Sequence, residues 1–170
     1  MVNCVKIGID FDRVLFQTDK FKRHLFKRFE QFEETYDDSV KNGVYNPHVH
    51  AELMDTTVED IFEEIQKTSE FLYDDVSRLQ KLQEKFEVVI VSRGDPVFQR
   101  EKIIDSGVTE YVDDFHIVQD KPKDVIDIEF LVDDLEEEIE RIEVPGFLFN
   151  REKHSIEDIA RRVNQMNQTK

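Results

Sequence analysis

The chain has 170 residues, of which 39 are Asp or Glu and 23 are Lys or Arg, giving a formal net charge of −16. That length suits one domain with room for a small inserted subdomain, and it is enough to bury a real core. So negative a surface repels nucleic-acid backbones and anionic membranes and disfavours both as partners. A small phosphorylated substrate is admissible where basic groups, helix N-termini or a metal offset the field.

A single cysteine, Cys4, forbids an intrachain disulfide. Its place at the start of an apolar strand suggests a small buried hydrophobe. No stretch reaches the roughly 20 apolar residues that span a bilayer, and the amino terminus carries no signal-peptide pattern. A soluble, cytoplasmic protein is expected, with its oligomeric state open.

Val5-Lys6-Ile7-Gly8-Ile9 reads as a buried strand, with Asp10 and Asp12 at and just beyond its carboxyl end. Thr18-Asp19 opens a helix to about Tyr36, whose Phe21, Leu25, Phe29 and Phe32 share one stripe. That spacing packs a core; a stacking surface for a base is the alternative, and Phe16 is the aromatic expected to face the site. Residues 37–55 carry the turn pairs Asn42-Gly43 and Asn46-Pro47 and read as a loop with short helical pieces. His48 and His50 lack a third metal ligand and are taken as ordinary loop residues. Thr57 caps a helix with Val58, Ile61, Phe62 and Ile65 inward, and a further helix covers residues 74–85.

Glu87-Val88-Val89-Ile90-Val91-Ser92 is a continuous apolar run that suits a central parallel strand. Asp95-Pro96 starts a helix that ends near Ser106-Gly107. Strands follow at 115–118, 129–133 and 146–149, with a short acidic helix at 135–142 and a final helix capped by Ser155. Strands alternating with helices imply an α/β fold, a Rossmann-like parallel sheet flanked by helices. Residues 1–17 and 73–170 would form this core and 18–72 a small inserted helical cap.

Parallel strands put their carboxyl ends on one side, so Asp10 and Asp12, Ser92, Lys121 or Lys123, and Asp133 and Asp134 can converge there. Several carboxylates at one point repel each other unless a cation joins them, and a hard divalent ion such as Mg²⁺ takes such oxygen ligands. A lysine and a serine hydroxyl beside them could hold phosphate oxygens. One carboxylate could then attack phosphorus and a second could carry the proton.

The order of these residues resembles the haloacid dehalogenase (HAD) superfamily of phosphatases and phosphotransferases. Asp10-Phe11-Asp12-Arg13-Val14 matches its Asp-x-Asp motif, and Ser92 its strand-ending hydroxyl. Lys121, or alternatively Lys123, matches its lysine, and Leu131-Val132-Asp133-Asp134 its acidic pair. The resemblance implies Asp10 as nucleophile and Asp12 as general acid/base. It implies Mg²⁺ on Asp10, the backbone carbonyl of Asp12 and Asp133, with Asp134 a direct or water-mediated ligand. Ser92 and the Arg93 backbone N–H would bind phosphate, and Lys121 would neutralise nucleophile and phosphate. The second Asp of the motif favours phosphoryl transfer over dehalogenation.

Arg13 stands where the family often has Gly; it would restrict the turn, reach for a substrate anion or lie solvated. The expected activity is a Mg²⁺-dependent phosphatase of a small phosphomonoester. The segment 120–134 and the small cap look similar to 5′-nucleotidases acting on deoxyribonucleotides. The competing reading is a phosphate- or nucleotide-binding module with little or no turnover. A phosphoacceptor receiver domain is disfavoured by the long insertion after the first strand.

Overall fold

Strand β1 (Lys6–Ile9) runs through the middle of a five-stranded sheet, and Ile7, Gly8 and Ile9 are buried. Gly8 is required there: a Cβ would lie 2.8 Å from Ile128 Cδ1 and 3.1 Å from Val91 Cγ2. The computed structural model describes residues 4–66 and 68–168.

After β1 the chain leaves the sheet for α1 (Thr18–Arg28) and α2 (Phe32–Tyr36). A hairpin of β2 (Val40–Lys41) and β3 (Val44–Tyr45) follows, then α3 (Pro47–Leu53) and α4 (Val58–Ile65). It returns through α5 (Leu79–Gln83) to β4 (Glu87–Arg93), α6 (Pro96–Ser106) and β5 (Asp114–Val118). Then come β6 (Phe130–Asp133), α7 (Glu136–Arg141), β7 (Gly146–Leu148) and α8 (Ile156–Gln168).

The sheet order is β5-β4-β1-β6-β7, and every pairing is parallel. From β1 the chain builds outward to β4 and β5 on one side and to β6 and β7 on the other. The carboxyl end of β1 is therefore the point where the winding reverses, which is where open α/β sheets leave a crevice. The apolar run of β4 is buried on both faces: Val88 and Ile90 join the larger core cluster, Val89 and Val91 the smaller.

The helix expected over residues 18–36 breaks after Arg28. Phe29 turns extended (φ −122°, ψ 115°), and the break lets Phe26 and Phe29 pack against Phe32, with ring centroids 5.7 and 6.1 Å apart. Residues 37–55 hold a hairpin where a loop was expected. Asn42 (φ 53°) and Gly43 (φ 76°) take the left-handed pair of its turn, the combination that Asn-Gly supplies. In place of one helix over 74–85 there is a 3-10 turn at Val76–Arg78 leading into α5.

Other signals form the ends they imply. Thr57 makes a full capping box with Asp60, Asp95 accepts the Phe98 N–H at 2.9 Å, and Gly107 closes α6 at φ 81°. Cys4 is exposed rather than buried, because β1 begins only at Lys6. Among the described residues no helix is long and apolar enough to cross a membrane.

Arg151 ties together the two segments joining the 18–72 stretch to the sheet. Its Nε donates to Val14 O at 2.8 Å, its Nη1 lies 2.8 Å from Asp75 Oδ2, and its guanidinium lies 4.0 Å from the centroid of the Tyr73 ring.

Candidate active site

Asp10 extends β1 by one step, donating its N–H to Val132 O at 2.8 Å. The chain then folds into a tight loop, in which Leu15 and Phe16 both donate backbone N–H to Phe11 O. Arg13 sits at the tip with φ 62°, a left-handed conformation that a non-glycine residue takes at a cost of about 1–2 kcal/mol. Its N–H donates to Phe16 O at 2.9 Å and to Thr18 Oγ1 at 3.1 Å, and its guanidinium pairs with Asp19 at the surface. Arg13 thus accommodates the turn without closing it.

Asp10, Asp133 and Asp134 each present an oxygen, and these lie within 4.8 Å of one another. Asp10 and Asp133 are buried. Burial, with Asp133 beside it, pushes the Asp10 carboxyl well above the ordinary aspartate range against the pull of Lys123. Burial raises Asp133 too. Three carboxylates held this close, two of them out of water, make an all-oxygen donor set that fits a hard divalent cation.

The lysine at this cluster is Lys123, not Lys121. Lys123 is buried, with Nζ 3.0 Å from Asp10 Oδ1 and 2.5 Å from Asp133 Oδ2. Although burial opposes it, these two carboxylates hold its ammonium charged above the usual lysine range. Lys121 points its side chain to solvent and contributes only a carbonyl. The physical reason is local: after Pro122 the chain makes a 3-10 turn at Lys123–Val125, which aims the second lysine inward.

Arg93 holds that loop in place. Its guanidinium donates to the Gln119 and Lys121 carbonyls while pairing two-pronged with buried Glu138 at 2.9 Å on each oxygen. The Arg93 side chain is thus engaged in the wall of the site.

Asp12 points into a separate set of partners. Its Oδ1 accepts from Lys102 Nζ at 2.8 Å and Thr18 Oγ1 at 2.9 Å, and its Oδ2 accepts from Gln99 Nε2 at 2.9 Å. Although burial opposes it, Lys102 together with Gln99 and Thr18 holds the Asp12 carboxyl below the ordinary range. Gln99 Nε2 also donates to the buried Ser92 Oγ at 2.6 Å, linking the end of β4 to the loop after β1. Gly94 makes room for that amide: a Cβ there would meet Gln99 Cγ at 2.6 Å.

Sequence reasoning missed Gln99, Lys102, Thr18 and Glu138. The readable signal was Gln99 and Lys102, one helical turn apart on the helix that follows Ser92.

These groups line a cavity of about 200 Å³. Its floor is Asp10, Asp12, Lys123 and Asp134; the opposite wall is Phe21, Leu25, Phe32, Tyr36 and Tyr45, with Phe98 from α6. Lys22 stands at this wall, its Nζ 4.1 Å from the centroid of the Tyr36 ring. Phe16, expected to face the site, is wholly buried and stacks on Phe11 at 4.9 Å. The tight loop after Asp12 turns it into the core. His50 is buried and bonds to Tyr45, Thr35 and the Phe32 carbonyl, so it is a framework residue of this wall.

No family model and no curated protein matches the sequence. Solved structures do match in shape. The HAD-type protein YfnB of Bacillus subtilis, bound to magnesium, superposes with a TM-score of 0.63 at 11% identity over 95% of this chain and 99% of that one. An L-2-haloacid dehalogenase gives 0.60 at 12% identity, covering 88% and 86%. A haloacid dehalogenase-like hydrolase of Xanthomonas campestris gives 0.57 at 16% identity, covering 89% and 84%. With its parallel five-stranded sheet flanked by helices, the chain has the fold of the haloacid dehalogenase-like hydrolases.

Proposed function

We propose that the chain is a Mg²⁺-dependent phosphatase of small phosphomonoesters that works through an aspartyl-phosphate on Asp10. The observation that carries this reading is the sorting of four carboxylates by two buried lysines. Asp10 and Asp133 share Lys123 beside Asp134, while Asp12 is held apart on Lys102. A nucleophile and a proton carrier need such different settings.

In this reading an Asp10 oxygen attacks phosphorus as the bond to the leaving oxygen breaks, and Asp12, a carboxylate at rest on Lys102, takes the acidic proton of the phosphomonoester monoanion and passes it to that oxygen. Asp12 then takes a proton from a water that attacks the aspartyl-phosphate and gives it up with the departing phosphate, which restores both Asp10 and the Asp12 carboxylate. Lys123 neutralises Asp10 and the phosphoryl oxygens, and Ser92, its Oγ buried and bonded to Gln99, is the hydroxyl this reading assigns to the phosphoryl group. Asp10, Asp133, Asp134 and the Asp12 carbonyl would hold the Mg²⁺, which when bound supplies positive charge for the phosphate oxygens.

The apolar and aromatic wall would receive the alcohol part of the substrate, with Lys22 available to an anionic substituent. This suits a phosphomonoester with a flat or apolar alcohol, a nucleotide among them. A cytoplasmic setting accords with the reading.

Phosphate release by the full chain from a generic aryl phosphate tests it. Release is expected with Mg²⁺, and its loss on chelation and in Asp10→Asn. No release with any divalent ion would instead support the binding module.

A further inference from the structure

We propose that Lys102 is a positioning residue for the phosphatase: it fixes the Asp12 carboxylate in the orientation from which it passes a proton to the leaving oxygen. This rests on the reading given under Proposed function.

Lysine is almost never fully buried unless paired, and Lys102 is 4% exposed. It extends from α6 into a collar of three rings. The centroids of Phe11, Phe16 and Phe98 lie 5.8, 5.4 and 5.3 Å from Nζ, near enough for their faces to favour a cation. Rings accept no conventional hydrogen bond, so the collar leaves the ammonium with Asp12 Oδ1 as its hydrogen-bonded acceptor among the described residues. The collar therefore sets where the charge sits, and the charge sets where Asp12 points.

Two further donors complete the hold. Thr18 Oγ1 reaches the same oxygen as Lys102, and Gln99, one turn earlier on α6, reaches the other. Gln99 is pinned in turn by Ser92 and by the space that Gly94 leaves. Helix α6 thus grips both Asp12 oxygens from one face. Asp10, two residues earlier, shares none of these hydrogen-bond partners; its lysine is Lys123. A general acid acts only where it reaches the proton's destination, and a displacement of about 1 Å can cost about 100-fold in rate.

Lys102→Met and Lys102→Arg, made in the full chain, test this in two ways. The crystal structure of Lys102→Met is expected to show Asp12 rotated away from Gln99, with the Asp10, Asp133 and Lys123 contacts kept. An Asp12 that keeps its Thr18 and Gln99 bonds there would overturn the proposal, whether or not the protein has activity. The kinetic arm compares an alkyl phosphate with 4-nitrophenyl phosphate, whose alcohol leaves with little need of a proton.

For Lys102→Met, kcat on the alkyl ester should fall about 100-fold, and by about 10-fold or less on the nitrophenyl ester. KM should stay within about threefold, and Lys102→Arg should recover part of the loss. Equal losses on both esters, or a loss confined to KM, would show Lys102 to be a structural or substrate-binding group instead. Should Lys102→Met fail to fold, Lys102→Gln makes the same comparison between esters, and equal losses on both would overturn the proposal. A wild-type chain that releases no phosphate would refute the phosphatase reading itself, and the crystallographic arm would still decide what orients Asp12.

Discussion

Lys123 Nζ lies 3.0 Å from Asp10 Oδ1, reaching from the loop before β6 to the residue that follows β1. With Asp133 2.5 Å away on its other side, one buried ammonium joins the two strands at the point where the sheet's winding reverses. Removing it strands two buried carboxylates, and breaking a buried pair in this way typically costs about 3–5 kcal/mol. Lys123→Met should therefore lower stability by about that amount in metal-free buffer and abolish phosphate release. Lys121→Ala, which alters only an exposed side chain, should leave both within about twofold and 0.5 kcal/mol of wild type. Urea unfolding with phosphate-release assays on both variants decides it; equal effects would reject the assignment of Lys123.

The carboxylate cluster predicts a thermal signature that needs no substrate. A divalent cation binding Asp10, Asp133 and Asp134 relieves their repulsion in the folded state only. At a concentration 100-fold above Kd it should add about 2.7 kcal/mol, a rise in Tm of roughly 5–10 °C for a chain of this size. Asp134→Asn, the less buried of the three, should fold normally and lose most of that increment. Melting curves with Mg²⁺ and with chelator provide the check, and a Tm indifferent to every divalent ion would contradict the metal site.

His50 predicts a pH dependence of stability away from the acids. It is wholly buried, its Nε2 3.1 Å from the Phe32 carbonyl and its Nδ1 2.9 Å from the Tyr45 hydroxyl. Burial lowers its pKa below the ordinary 6.5, against the pull of the Phe32 carbonyl. The unfolded chain then binds the proton first, so this contribution is fully present above about 6.5 and is lost as pH falls below that toward the folded value. Urea unfolding at several pH values between 7.5 and 5 should show wild type losing more stability than His50→Gln over that interval. Parallel curves would show that His50 does not titrate as described.

Much of this architecture was legible in the residues. The β-branched runs of β1 and β4 declared central strands, and Asp10, Asp12, Ser92, Asp133 and Asp134 fell at strand ends that a parallel sheet brings together. What escaped notice depended on local geometry that spacing does not encode. Lys121 and Lys123 flank one proline, and only the turn after Pro122 determines which is buried. Gln99 and Lys102 are polar residues on a helix that leaves Val97 and Ile104 exposed beside Arg100, so polarity does not mark its inner face and their inward direction is set by the packing of α6. The hairpin's strands are two residues each, too short for an alternating pattern to register. Phe16 lies beside the acids in sequence, yet the tight loop after Asp12 carries it into the core.

The claim on which all of this depends is that Asp10 briefly carries the phosphoryl group. An acid-quenched mixture of the chain, Mg²⁺ and an aryl phosphate can be reduced with borohydride, which converts an aspartyl-phosphate into homoserine, and the peptides read by mass spectrometry. Homoserine at position 10, absent without substrate, is the predicted result. Rapid phosphate release with an unmodified Asp10, or with homoserine at Asp12 or Asp133 instead, would contradict it.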